Sequence, residues 1–111
     1  MAEASNVTLE IFINSLPIRP EALDMYKNGL NTGMNRSNQS MVQDKTLFQK
    51  ELPAWHQEIL FDPQTSGGLL IAVPEKQGSE LIEAFKADGM EWISCIGGVL
   101  PYNGSDSLVF L

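Results

Sequence analysis

Residues 61–74 read FDPQTSGGLLIAVP, a turn-rich polar stretch that passes directly into an apolar run ended by a proline. Asp62-Pro63 favours the start of a turn, and Gly67-Gly68 permits backbone conformations that other residues rarely adopt. The uninterrupted apolar run from Leu69 to Val73 is typical of a strand buried on both faces. The stretch therefore predicts an exposed turn, Asp62 to Gly68, that leads at once into a buried strand.

The turn permits two interpretations. Thr65 and Ser66 offer hydroxyl groups, and successive backbone N–H groups in such a turn can form a concavity that binds an anion. Alternatively, the glycines only tighten the entry to a strand, and at least one of Gly67 and Gly68 is then expected in a conformation that is costly for a residue with a Cβ atom. A Walker loop is excluded, because the Gly-x-x-x-x-Gly-Lys-Ser/Thr pattern is absent. Local physics alone favours the structural interpretation.

The segments before the turn predict a strand, a helix and a long loop. Alternation from Val7 to Ile13 is typical of a half-buried strand. Pro20 favours the start of a short helix, and Gly29 favours its end. The segment 31–43 is rich in Asn and Ser, which bond to their own backbone, and is interpreted as a long loop.

The rest of the chain predicts further helices and strands. They are, in chain order, a helical turn within 44–50, a short helix from Pro53, a helix from Glu75 to Asp88 capped by Gly89, a strand from Trp92 to Leu100 with a bulge at Gly97-Gly98, a hairpin turn at Asn103-Gly104 and a last strand, 108–111. This set of elements predicts an α+β fold with one mixed β-sheet packed with helices.

Composition restricts the class of protein. The 111 residues fit a single domain, 1–111, and 43% hydrophobic residues allow one core. The net charge is −7 and the seven basic residues are scattered, which argues against nucleic-acid and anionic membrane partners. A single Cys and a single His exclude an internal disulfide and a zinc site built from these residues, and a reducing, cytoplasmic location is expected.

Three conspicuous side chains are candidates for chemistry. His56 has no Ser or Cys nucleophile near it in sequence, so a structural role is predicted. Cys95 lies in an apolar segment and is predicted to be a buried, inert thiol. Arg36 lies in the Gly- and Asn-containing segment, where a guanidinium could meet a phosphate or an acidic partner.

The string LFDPQTSGGLLIAVP (60–74), followed by a helix and by IGGVLP (96–101), resembles the C-terminal part of the selenophosphate synthetase (selenide, water dikinase) family. The resemblance extends over residues 5–111. VTLEIFINSLP (7–17) and NTGMNRSNQS (31–40) lie where that family has a strand and a Gly-rich loop containing Arg and Asn. The loop departs from the family pattern, because its glycine pair corresponds to Thr32-Gly33, only Arg36 clearly keeps the basic position, and the neighbouring Asn of the family falls on Ser37 or Asn38.

The resemblance implies a domain like the C-terminal domain of aminoimidazole ribonucleotide synthetase, within an enzyme that makes selenophosphate from selenide and ATP with Mg²⁺. The family's reactive Cys or selenocysteine, its Lys partner and its metal-binding Asp residues lie in an N-terminal half not found among these residues. The chain alone is therefore expected to be inactive and to hold no metal. Residues 1–6 resemble the end of the helix that follows the family's domain junction, or a linker.

The resemblance also implies a site and a partner. The chain would help to close the ATP cleft, and the missing N-terminal catalytic domain of the same polypeptide would cover an apolar surface that includes Phe12, Met34 and Met41. A homodimer would also fit this surface. The residues expected to face phosphate are Asp62, Gln64, Thr65, Ser66, Gly67, Gly68 and Arg36.

Two other functions stay open at this point. One is a stand-alone binding or regulatory module that uses this fold without ATP chemistry, because a fold does not determine a function. The other is a related enzyme that phosphorylates a different acceptor, because the residues that select the acceptor are not among these 111.

Overall fold

Four short strands form one mixed sheet in a computed structural model that describes all 111 residues. The strands are β1 (Val7–Ile11), β2 (Thr46–Phe48), β3 (Gly97–Pro101) and β4 (Leu108–Phe110). Their order is β2-β4-β1-β3. β1 pairs antiparallel with β3 and parallel with β4, and β4 also pairs parallel with β2. With the helices around it, this sheet confirms the predicted α+β class.

Five α-helices accompany the sheet: α1 (Ala2–Ser5), α2 (Pro20–Lys27), α3 (Asn35–Val42), α4 (Ala54–Glu58) and α5 (Glu75–Ala87). Pro20 is the first residue of α2, as predicted, because its fixed φ suits the first helical turn and its missing N–H has no intrahelical partner there. Gly29 and Gly89 follow α2 and α5 with φ of +75° and +88°, the left-handed conformation that ends helices. No helix is long and apolar enough to cross a membrane.

The prediction of a long loop over 31–43 is wrong, because residues 35–42 form helix α3. The Asn side chains there do not compete with the helix. Asn35 instead accepts a hydrogen bond from the N–H of Thr32 before the helix, and its amide group bonds to neighbouring elements. The helical turn predicted within 44–50 is a 3-10 turn that begins one residue earlier, Gln43–Lys45, and it is followed by strand β2, which the sequence did not predict.

The predicted buried strand from Leu69 to Val73 is also wrong. The segment is not part of the sheet, all five side chains are exposed, and Leu69 is 91% exposed. None of its backbone groups makes a hydrogen bond to the backbone. An apolar run indicates a tendency to be buried, but a strand also needs a neighbouring strand, and none lies beside this segment.

The C-terminal third differs from prediction in its connections. The strand predicted from Trp92 begins only at Gly97, and β1 and β3 pair residue for residue with no bulge. Asn103-Gly104 does form a turn, with φ of +90° at Gly104 and the side-chain oxygen of Asn103 accepting from two N–H groups. The turn does not make a hairpin, because β1 lies between β3 and β4.

The core joins the sheet to the end of α4. Its six buried apolar residues are Ile13, Tyr26, Ile59, Phe61, Val109 and Phe110. The ring of Phe48 stacks on Phe110 at 4.9 Å and meets Phe61 edge-on at 6.4 Å. Ile59 and Phe61 belong to a 3-10 turn that continues α4, so the core fixes the residue that directly precedes Asp62.

Other side chains lie at the surface. Phe12, Met34 and Met41 are exposed as predicted, and Met41 is 79% exposed. Cys95 is exposed, which corrects the prediction of a buried thiol: the strand that was to enclose it begins two residues later. His56 is half-buried and stacks on Trp55 at 4.8 Å.

Candidate functional site

The turn from Asp62 to Gly68 presents unused hydrogen-bond donors. Its one backbone hydrogen bond runs from the N–H of Gly67 to the carbonyl oxygen of Gln64, at 2.9 Å. The N–H groups of Thr65, Ser66 and Gly68 have no backbone acceptor, and the two hydroxyls bond to no protein group. All three residues are exposed. Several donors close together along the chain are therefore available to a ligand or to water.

The two glycines of the turn differ from each other. Neither Gly67 nor Gly68 has a positive φ, so a left-handed backbone conformation is not what makes a Cβ atom costly in this turn. Gly67 is nevertheless crowded, because an added Cβ atom would lie 3.0 Å from both the Cβ atom and the carbonyl oxygen of Gln64. An added Cβ atom at Gly68 would have nothing within 4 Å. Only Gly67 is restricted, and the restriction is steric.

Asp62 connects the turn to the rest of the fold. One carboxylate oxygen, Oδ1, accepts a hydrogen bond from the hydroxyl of Tyr26 at 2.5 Å. The other, Oδ2, accepts from the side-chain amide of Gln64. Both oxygens of this carboxylate are thus engaged within the protein, and Gln64 is folded back onto the residue that begins the turn.

Asn35 lies at the centre of the polar contacts behind Asp62, and it is only 1% exposed. Its Nδ2 donates to the Tyr26 hydroxyl oxygen at 2.6 Å and to the carbonyl oxygen of Glu58 at 2.9 Å. Its Oδ1 accepts from the N–H and the hydroxyl of Thr32. An amide group has two donor hydrogens and two acceptor lone pairs, so every hydrogen-bonding position of Asn35 is used.

Two more asparagines tie the same segment in place. Asn38 donates to the carbonyl oxygen of Phe61 at 2.9 Å, and Asn31 donates to the carboxylate of Glu58 at 2.6 Å. Sequence reasoning singled out neither Asn31 nor Tyr26, and it considered Asn38 only as one of two positions, with Ser37, for an Asn of the related family. The concentration of Asn in 31–43 was a signal, but it was interpreted as loop-forming because Asn often bonds to its own backbone. The actual partners lie 23 to 27 residues away.

Arg36 belongs to α3, like Asn35 and Asn38, but it does not lie beside the turn. It is exposed, makes no ion pair, and lines a surface cavity of about 330 Å³ with Gln39, Ala54, Gln57 and Glu58. No residue of the turn lines that cavity. The structure therefore brings together Asp62, Gln64 and the rest of the turn, and places Arg36 beside α4.

Tyr26 has a perturbed acid–base equilibrium. Burial, and next its hydrogen bond to Asp62, raise the pKa of Tyr26 from 10.0 to about 12. The unfolded chain releases the phenolic proton near pH 10, whereas the folded chain still holds it there. The contribution of Tyr26 to the free energy of unfolding is therefore fully present below about pH 10 and is lost as pH rises toward about 12.

We expect phenolate absorbance to show this shift. In wild type, the transition assigned to Tyr26 should lie well above pH 10.0, and it should be missing from Tyr26→Phe. Asp62→Asn should lower the pH of the Tyr26 transition, because the hydrogen bond to the carboxylate and the negative charge both hold the proton on Tyr26. A Tyr26 that titrates at its ordinary value in the folded chain would contradict the buried hydrogen bond.

No group of three or more His, Cys, Asp or Glu side chains is placed to hold a metal ion. The carboxylate of Asp62, the one acidic group in the turn, already accepts a hydrogen bond on each oxygen.

Comparison with known proteins identifies the family, although no family model matches the chain. The chain is 42% identical over 82 residues to the selenide, water dikinase of Clostridium botulinum (strain Eklund 17B / Type B), an alignment that covers 74% of this chain and 24% of that protein. It is 37% identical over 101 residues to the selenide, water dikinase of Clostridioides difficile (strain 630), an alignment that covers 91% of this chain and 29% of that protein. The chain belongs to the selenide, water dikinase family.

A third relative extends the match along the chain. The selenide, water dikinase of Paraburkholderia xenovorans (strain LB400) is 30% identical over 109 residues, which is 98% of this chain and 31% of that protein. The chain thus spans about a quarter to three tenths of the length of these selenide, water dikinases. It corresponds to their C-terminal region, and a stand-alone module is not favoured.

Proposed function

We propose that this chain is the C-terminal region of an enzyme that makes selenophosphate from selenide and ATP, and that its turn from Asp62 to Gly68 faces the phosphates of ATP. The observation that carries the proposal is the set of free donors at Thr65, Ser66 and Gly68, on a turn whose first residue is anchored. Enzymes that transfer phosphoryl groups act mainly by positioning and charge stabilisation, so donors alone can contribute.

In this role each part of the turn does something different. The hydroxyls and N–H groups of Thr65 and Ser66 donate to phosphate oxygens. Asp62 and Gln64 do not contact phosphate directly; they hold the base of the turn. The exposed glycines let a phosphate approach the backbone closely, because no side chain covers it.

Arg36 is proposed as a second contact with phosphate, from the cavity beside α4. Its guanidinium makes no ion pair, and the cavity it lines is also lined by Gln39, Gln57 and Glu58, whose carboxylate accepts a hydrogen bond from Asn31. A guanidinium can bind a phosphate through two parallel hydrogen bonds. Since the turn does not line this cavity, Arg36 would contact a different part of the nucleotide.

The partner in this proposal is the preceding region of the same polypeptide. The relatives are about three to four times longer than the matched residues, and this chain leaves Phe12, Met34 and Met41 exposed. The preceding region supplies the nucleophile and the metal ligands and covers part of this apolar surface. The chain by itself is then expected to fold without turning over ATP.

The test is kinetic and uses a full-length enzyme that contains these residues. Thr65→Ala and Ser66→Ala should each lower kcat, or lower the affinity for ATP, by about tenfold, because each removes a donor to phosphate. The melting temperature should not change, because neither hydroxyl bonds to the protein.

Ser79→Ala is the matched control for this test. Ser79 is also exposed, lies on α5 away from the turn in sequence, and its hydroxyl has no protein partner. It should keep the wild-type rate and ATP affinity. Wild-type kinetics in both Thr65→Ala and Ser66→Ala would instead mean that the turn has only a structural role.

A further inference from the structure

The backbone holds the start of the turn through buried Phe61 and through the bond from the Asp62 N–H to the carbonyl oxygen of Ile59, and one side-chain hydrogen bond joins the turn to a distant element. Within Asp62 to Gly68, only Asp62 and Gln64 make side-chain hydrogen bonds, and Gln64 bonds to Asp62 itself. The bond from the Tyr26 hydroxyl to Asp62 is therefore the only side-chain hydrogen bond that reaches the turn from another element. Whatever orients the Tyr26 hydroxyl therefore also orients the side chain of Asp62.

The direction of the bonds behind Asp62 is determined by chemistry. Asn35 Nδ2 can only donate, so the hydroxyl oxygen of Tyr26 accepts from it at 2.6 Å. The single hydroxyl hydrogen of Tyr26 is then free to point at Asp62, 2.5 Å away. Asn35 cannot turn its amide round without losing its bonds to Thr32 and to the carbonyl oxygen of Glu58.

We propose that Tyr26 and Asn35 are positioning residues for the turn, and that they act through Asp62 rather than by touching a ligand. The role of the turn in binding phosphate rests on the function proposed above, whereas the positioning itself does not. With Asp62 held on one oxygen and Gln64 folded onto the other, Thr65, Ser66 and Gly68 keep their donors unoccupied.

A substitution can separate positioning from packing. The ring of Tyr26 lies in the core and the residue is 5% exposed. Tyr26→Phe keeps that ring and removes only the hydroxyl, so the packing of α2 is retained. Tyr102→Phe is the matched control, because Tyr102 is exposed and its hydroxyl bonds only to the carbonyl oxygen of Ser105, at 3.4 Å.

The experiment is nitrogen-15 NMR on the 111-residue chain, with inorganic pyrophosphate as the probe. In Tyr26→Phe, the heteronuclear NOE of the amides of residues 64–68 should fall toward values of flexible backbone, and the dissociation constant for pyrophosphate should rise about tenfold. Tyr102→Phe should leave both unchanged. Turn amides in Tyr26→Phe that stay as ordered as in wild type would overturn the proposal.

Two further outcomes are informative. If the wild-type turn does not respond to pyrophosphate but Tyr26→Phe still loosens it, the positioning role stands and the proposed phosphate role fails. If Tyr26→Phe does not fold, Asp62→Ala removes the same bond from the half-buried partner and should loosen the turn in the same way. Asp62→Asn keeps an oxygen acceptor for Tyr26 and should retain more of the order; equal loss in both Asp62 variants would overturn the proposal.

Discussion

Replacing Gly97 by alanine is expected to destabilise the chain by about 3 kcal/mol or more, a cost typical of strong steric conflict within a fold. A Cβ atom at Gly97 would lie 1.8 Å from the carbonyl oxygen of Glu10 and 2.9 Å from its carbonyl carbon. Both atoms belong to the backbone of β1, so they cannot rotate away as a side chain would. The pairing of β1 with β3 would have to open or shift.

Gly98→Ala is the control for this prediction. Gly98 lies in the same strand, but an added Cβ atom there would have nothing within 4 Å. Its free energy of unfolding should stay within about 0.5 kcal/mol of wild type, as for most surface changes. Urea unfolding of the two variants measures the difference, and equal stability in both would show that β3 does not approach β1 so closely.

The second large effect is expected for Asn35→Asp. The two side chains have nearly the same shape, but the carboxylate cannot donate to the Tyr26 hydroxyl oxygen or to the carbonyl oxygen of Glu58. It would instead place a buried negative charge against two acceptors and near Asp62. We expect a loss of about 3 kcal/mol at neutral pH, measured by urea unfolding.

The pH dependence of the stability lost in Asn35→Asp distinguishes a buried negative charge from a general loss of packing. Burial next to acceptors should raise the pKa of the new carboxyl above its ordinary value of about 3.9, so protonation favours the folded chain. The deficit relative to wild type should therefore shrink as pH falls through the acid range. The control is Asn14→Asp, at an exposed residue whose side chain makes no hydrogen bond, and it should show no such deficit.

Local chemistry in the sequence was enough to predict several elements. Pro20 and Gly29 bound α2, and Gly89 follows α5, because proline and glycine restrict or permit φ whatever surrounds them. Alternation predicted β1, although the strand ends at Ile11 instead of Ile13. The mixed α+β class followed from the number and order of these elements.

The candidate site was predictable only in part. The string DPQTSGG indicated an exposed turn, and the turn is exposed. What holds it was not predictable, because Tyr26 and Asn35 are 36 and 27 positions away from Asp62 in sequence, and nothing local marks them as its neighbours. Arg36 was grouped with the turn by resemblance, and the structure places it beside α4.

The remaining differences between the predicted and the observed secondary structure depend on partners that are distant in sequence. Asparagine disfavours helices when its amide bonds to its own backbone, but Asn35 and Asn38 bond to the segment 58–61, and helix α3 forms. The apolar run from Leu69 to Val73 forms no strand, because a strand requires backbone partners from another segment. The sequence by itself therefore determined where the backbone must turn or end a helix, and the tertiary structure alone decided which polar and apolar groups find partners.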